Sequence, residues 1–360
     1  MTDSVDDMGD KPTASQPVGR PGAMEPPPEP LERRDYDAAT LMRQHAPVLR
    51  NPNKQVVYRI ACPDGTVAGH VSYSRWAEMP LPATADPGAA ASLLDVRDGF
   101  FDYEPVAAPA PAAATVEWHV NFADPNLFFA YGWSMFAQDE IQAAEHPVLG
   151  SLREALVAEG RPTRTVEGGR PTPVLVMGAE RRVSIQTDRR AERGGPSWLY
   201  GIAFAEAEPE TVRRATVRID PPTISNIIAI AAPVGGYGRY RKEEIELALS
   251  TAYSGFRAAV LESRRAAGPT ARVIVHSGFW GCGAFGGNRV MMTLLQALAA
   301  EMAGVDRLVL HIGDSSGRAP ADQAGALLRD VLAEPDLMGT NELVGRIESL
   351  GLQWGQSDGN

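Results

Sequence analysis

Two hydrophobic periods organise this chain. A β-type alternation or short apolar run recurs at 115–122, 172–177, 197–204, 224–231, 272–275 and 307–312, and each predicts a strand. Between them a helical period predicts helices over 136–144 and 150–159, separated by Pro147, and over 242–262, where Ile245, Leu249, Tyr253 and Phe256 share a face. Another helix follows residue 288, with Val290, Met291, Leu294, Leu295, Leu298 and Met302 on one side. Nearer the N-terminus, 38–43 carries a helix signal and 55–61, Gln-Val-Val-Tyr-Arg-Ile-Ala, a strand signal. Alternating strands and helices predict an α/β fold, a mixed β-sheet sandwiched by helices.

Composition divides the chain around that core. Residues 1–35 are rich in Asp, Pro, Gly and Ser, too poor in apolar surface to order themselves, and predict a disordered tail. Residues 36–114 form an N-terminal accessory region ending in the Ala/Pro stretch 105–114, a linker or surface loop. Residues 115–335 hold the main domain and 336–360 a C-terminal tail. Lys and Arg total 34 against 45 Asp and Glu, a formal charge of -11. That balance argues against a broad nucleic-acid surface. Cys62 and Cys282 make neither a disulfide framework nor a metal cluster, and His119, His146, His276 and His311 lack metal-ligand spacing. Without a signal-peptide pattern or an apolar run of membrane-spanning length, the expectation is a soluble cytoplasmic protein. No signal sets an oligomeric state.

The chemistry concentrates in Val273-Ile-Val-His-Ser-Gly-Phe-Trp-Gly-Cys-Gly-Ala-Phe-Gly-Gly287, where five glycines fall between Gly278 and Gly287. Strand, glycine-rich turn and helix start together make an anion cradle: glycine lets backbone approach a phosphate, and free N–H groups and the helix dipole favour negative charge. Gly281-Cys-Gly283-Ala-Phe-Gly286 also fits the dinucleotide-binding G-x-G-x-x-G, with Asp306 or Asp314 spaced to meet a ribose hydroxyl. One reading is therefore a Rossmann-like oxidoreductase.

The whole run is more specific. Ser277-Gly-Phe-Trp-Gly-Cys-Gly-Ala-Phe-Gly-Gly287 resembles the phosphate loop of the poly(ADP-ribose) glycohydrolases, a macrodomain family with Thr-Gly-Asn-Trp-Gly-Cys-Gly-Ala-Phe-Gly-Gly at that place. Ala252-Tyr253-Ser-Gly-Phe256 resembles its Ala-Tyr-x-Gly-Phe, and Gly178-Ala-Glu180 its Gly-Ala/Ser-Glu. Val120-Asn-Phe-Ala-Asp124 and Gln138-Asp139-Glu140-Ile141 are similar to its Val-Asp-Phe-Ala-Asn and Gln-Glu-Glu-Ile. The resemblance implies a metal-independent, cofactor-free glycosidase acting on ADP-ribose or an ADP-ribosylated substrate. Glu140 would be the acid/base, with Asp139 beside it holding the distal ribose and Gln138 orienting it. Glu117 would meet an adenine amino group, Asn121 and Asp124 would orient the signature loop, and Gly278, Trp280, Gly281, Cys282, Gly283, Ala284, Phe285 and Gly286 would grip the diphosphate.

The departures are equally concrete. Phe128-Phe129-Ala130 replaces the family's Gly-Gly-Gly, so that wall of the pocket must be rebuilt. Phe279 replaces the Asn of Gly-Asn-Trp. No tyrosine follows Gly178-Ala-Glu180, where Ser184, Ile185 and Asp188 stand. Leu310 or Ile312 replaces an adenine-stacking phenylalanine, a contact worth roughly 1–3 kcal/mol per base. A catalytically silent ADP-ribose-binding reader is the alternative that these losses favour; the retained Glu140 favours the enzyme.

Overall fold

A computed structural model describes residues 27–65, 67–106, 114–187, 199–334 and 337–359. One mixed sheet runs through it: β1 (Glu32–Asp37), β2 (His70–Arg75), β4 (Leu94–Arg97), β5 (Thr115–Phe122), β8 (Val174–Ile185), β9 (Thr216–Ile230), β10 (Arg272–Ser277) and β11 (Arg307–His311). Their spatial order is β1-β2-β8-β9-β5-β10-β11-β4. β9, β5, β10, β11 and β4 are mutually parallel, while β1, β2 and β8 pair antiparallel at the other side. Small ribbons join β3 (Thr84–Ala85) to β12 (Met338–Gly339) and β6 (Val166–Glu167) to β7 (Arg170–Pro171).

Side chains alternate between two cores. On β8, Val174 and Val176 enter one and Leu175 the other. The first face is covered by α1 (Ala38–Gln44), α2 (Pro52–Ala61), α4 (Gln138–Glu145), α5 (Val148–Ala158), α6 (Ala203–Glu206) and α7 (Pro209–Ala215). The second is covered by α3 (Pro87–Leu93), α8 (Lys242–Ala267), α9 (Arg289–Ala303), α10 (Arg318–Ala326) and α11 (Thr340–Ser349). This is the helix-sandwiched mixed sheet that the periodicity predicts.

The segmentation looks different in three dimensions. Residue 35 falls inside β1, and β1, β2 and β4 complete the same sheet as the strands beyond 115. Within 336–360, α11 packs on α8. The linker residues 107–113 and most of the N-terminal tail lie outside the described residues. Two strand expectations are overturned. Residues 52–61 are helical, because Asn51 caps the N-terminus by accepting from the amides of Asn53 and Lys54, and Pro52 sits at the first turn. In 197–204, Gly201 takes φ +60° and Phe204 enters α6, where its ring stacks 3.6 Å from Phe136; residues 197 and 198 lie outside the described residues.

Candidate active site

The parallel strands β9, β5 and β10 end together, the place where open α/β sheets bind ligands. Gln138, the first residue of α4, ties the helix to that edge: its side chain accepts from Phe122 N (2.7 Å) and donates to Val120 O (3.1 Å). Gln138 is thus a clamp between helix and strand rather than a free ligand arm. Asp139 and Glu140 follow, both buried. Asp139 Oδ1 accepts from Asn121 Nδ2 at 3.0 Å, and Glu140 Oε2 accepts from Ala137 N at 2.9 Å, capping its own helix. Burial first, and then the neighbouring Glu140 charge, pushes the Asp139 carboxyl above the usual carboxylate range. Asp124 is exposed and closes a local turn by accepting from Asn126 N.

Phe128-Phe129-Ala130 leads into this helix. Phe128 adopts φ +51°, the left-handed conformation that its bulk disfavours, and its ring is completely buried. A positive φ is thus held without glycine at the first of these three positions alone. Behind it lies Lys54 of α2, 2% exposed, whose Nζ donates to Ala130 O at 3.0 Å.

The glycine loop faces α4 across the end of β5. A Cβ on Gly278 would meet Phe122 Cζ at 3.4 Å and His311 O at 2.9 Å. Trp280 is wholly buried and donates its indole N–H to Ile230 O at 2.9 Å, pinning the loop to the end of β9. Gly281 takes φ +76°, and its carbonyl accepts from Gly287 N at 2.8 Å. Gly286 donates to Gly283 O at 3.0 Å, and Phe285 O accepts from Gly235 N at 3.2 Å. Ala284 is at the exposed tip. Burial drives the Cys282 thiol up to about 12, which excludes a thiolate nucleophile at neutral pH. Among the described residues no backbone carbonyl takes the amides of Gly283, Ala284 and Phe285, and the Asp358 carboxylate lies against Gly283. The start of α9, in contrast, is already capped: Asn288 accepts from the amides of Val290 and Met291. The loop backbone, and not this capped helix terminus, is therefore the part of the motif left to meet an anion.

Glu117 turns into the fold, where Oε1 accepts from Val106 N and Oε2 pairs with His276 Nε2, both at 2.8 Å. His276 Nδ1 in turn meets His311 Nε2 at 3.1 Å, while His119 stacks between Tyr103 and His276. Asp306 Oδ2 accepts from Val273 N at the opposite end of β10 from the glycine loop, too far away for a ribose bound there. Asp314 lies on the loop side but caps Ser316 N. These two placements remove the acidic partner that the dinucleotide reading needs.

The sequence pattern missed three parts of the site. Lys54 lies on the stripe shared with Val57 and Ala61, a signal visible only once 52–61 is read as a helix. Tyr200 arrives after the expected tyrosine position: Ser184 and Ile185 are paired with β9, and Asp188 lies outside the described residues. The Tyr200 hydroxyl meets the backbone of Gln138; burial, followed by the charges of Asp358 and Glu140, pushes it up to about 12. Third, the segment 353–358 crosses the glycine loop. Trp354 stacks on Tyr240 at 4.2 Å, Asn288 Nδ2 donates to Gln353 O at 2.9 Å, and a Cβ on Gly283 would stand 3.1 Å from Asp358 Oδ2.

Comparison with known proteins finds a likeness for part of this chain. Residues 206–318 match the family model described as poly(ADP-ribose) glycohydrolase, macro domain fold. Among solved structures, the poly(ADP-ribose) glycohydrolase of Thermomonospora curvata aligns at 16% identity and TM-score 0.40, covering 68% of this chain and 84% of that one. The Deinococcus radiodurans enzyme in complex with ADP-ribose aligns at 13% identity and TM-score 0.34, covering 69% and 94%. No characterised protein sequence matches the chain. The glycine loop, the strand before it and the long helix upstream all lie inside the matched span, so residues 206–318 resemble the poly(ADP-ribose) glycohydrolases, while Asp139 and Glu140 lie outside that span.

Proposed function

We propose that this protein hydrolyses the ribose glycosidic bond of an ADP-ribose-containing substrate. The observation that carries the reading is the buried Asp139–Glu140 pair, set at the same end of the sheet as the glycine-rich loop 278–287. The loop Gly281–Gly286 suits a diphosphate: its N–H groups point charge at an anion without a metal. The ribose then extends over the end of β5 toward the first turn of α4.

Cleavage at the anomeric carbon passes through an oxocarbenium-like state and needs a proton on the leaving oxygen, then a base for water. Two buried carboxyls one residue apart disfavour joint ionisation, so one keeps its proton where an isolated carboxylate would lose it. Glu140 is assigned the proton transfer. Asp139, fixed by Asn121, holds the ribose hydroxyls and shares the charge.

Calorimetry with ADP-ribose, together with hydrolysis of an ADP-ribosylated substrate by wild type and Glu140→Gln, tests this. Gln keeps an oxygen to accept from Ala137 N, so the fold and the ADP-ribose affinity are expected to persist. Hydrolysis is expected to fall about 10²–10⁴-fold, the usual contribution of a positioned acid/base. Equal turnover by both proteins would exclude the role of Glu140, and binding without turnover in either would make the protein a reader.

A further inference from the structure

The region before β5 sends one charged side chain into the site. Lys54 projects from the first turn of α2 and is 2% exposed; an ammonium so desolvated is costly unless its surroundings compensate. Its hydrogen-bond acceptor is Ala130 O, in the segment that stands where the family has three glycines. Its Nζ also lies 5.7 Å from the centre of the Phe136 ring, just before α4. Helix α2 packs on α4, whose first turn carries the buried Asp139 and Glu140, so the ammonium and both carboxyls share one buried region with no direct ion pair among the described residues. Tyr58 of its own helix and Tyr131 of the following loop line the small cavity beside it, together with Val57, Ala143 and Pro147.

Charge counting shows what this arrangement does. A buried site holding two carboxyls and one ammonium is neutral when exactly one carboxyl keeps its proton. Remove the ammonium and both carboxyls are driven toward the neutral acid. The acid/base cycle of the proposed hydrolysis needs one carboxyl protonated and the other ionised at the same time.

We infer that Lys54 is a positioning residue of this site: its ammonium, anchored on the Ala130 carbonyl, holds the Asp139–Glu140 pair in the singly protonated state and fixes the rebuilt loop beside it. The inference rests on the glycosidase reading for its consequence in rate, while the charge pairing itself is independent of turnover. Burial lowers the Lys54 pKa to about 8, so the ammonium is lost, and the pair's charge balance with it, just above neutral pH.

The test is the pH profile of kcat and kcat/KM for wild type, Lys54→Arg and Lys54→Met, with a carboxyl ¹³C titration of the unliganded proteins. In wild type the alkaline limb is expected near the Lys54 value. Arginine stays charged, so in Lys54→Arg the alkaline limb is set by the protonated carboxyl alone, and the carboxyl titration lacks the second shift that ionisation of Lys54 imposes on it in wild type. Lys54→Met lowers kcat more than it raises KM and moves the carboxyl titration up by about one pH unit or more. A carboxyl titration unmoved in a folded Lys54→Met overturns the proposal, and so, even if Lys54→Met fails to fold, does a wild-type carboxyl titration with the same shape as that of Lys54→Arg. Should no variant hydrolyse substrate yet the titration still shift, the pairing stands and the glycosidase reading falls.

Discussion

At the residue scale, the replacement of a glycine triplet is the most instructive feature. Side chains at 128–130 ought to change the backbone, yet Phe128 retains φ +51°. A left-handed conformation costs a bulky residue about 1–2 kcal/mol, whereas truncating a fully buried Phe costs about 3–5 kcal/mol. Burial wins, and the ring anchors a turn that it would otherwise oppose. Phe128→Gly should therefore lower stability by about 2–4 kcal/mol in urea unfolding, despite relieving the conformation; a neutral or stabilised variant would contradict this account. The motif residues themselves were legible through the family resemblance: Trp280, Gly281 and Glu140 stand in runs similar to its loop and signature segments. Their local roles were not. Whether a carboxylate such as Glu117 faces ligand or a histidine depends on what the neighbouring strand presents, and no single sequence window contains that strand.

At the element scale, the segment 353–358 sits on the loop expected to hold a diphosphate. Trp354 fixes it by stacking on Tyr240 and by donating its backbone N–H to Gly238 O at 2.8 Å. A Cβ on Gly286 would be 3.2 Å from Ser357 N, so the segment lies directly against the loop. A ligand at this place must displace it, and apparent affinity falls by the fraction of molecules in which the loop is uncovered. Asp358→Asn, which removes the carboxylate beside Gly283 and Tyr200, is expected to tighten ADP-ribose binding by about threefold or more, measured by calorimetry; an unchanged or weaker Kd would count against displacement. The strands β5, β9, β10 and β11 and the helices α8 and α9 were visible in the periodicity, because each buries a continuous apolar face. Helix α2 was misread because its Val-Val-Tyr run favours strand, while the Asn51 cap and the packing of Val56, Val57 and Ala61 impose helix.

At the scale of the whole molecule, buried ionisable groups set the pH dependence. His119 and His146 are held neutral, the latter at about 3, and His311 at about 4, in each case chiefly by burial. The unfolded chain binds these protons near 6.5 and the folded chain does not, so their stabilising effect is present above 6.5 and is lost as pH falls toward the folded values. Each contributes a slope of up to about 1.4 kcal/mol per pH unit. Asp139 acts in the opposite sense: with its pKa raised, its contribution is complete below 3.8 and is lost as pH rises. Glu145 and Glu301 are raised by burial in the same way, so three carboxyls oppose the three histidines and the test is a single variant: His119→Phe should gain thermal midpoint at pH 5 relative to pH 7 when set against wild type, and an unchanged pH dependence would refute the assignment. The sequence by itself determined the α/β class, the glycine loop and the carboxylates that follow β5, because period and local motif are properties of neighbouring residues. Only the tertiary structure decided that β1, β2 and β4 complete the main sheet, that Lys54, Tyr200 and Asp358 meet the site, and that Glu117 turns inward. Those facts arise where distant segments share buried volume, and the free energy of desolvating a charge is set by that shared volume rather than by the residues beside it in the chain.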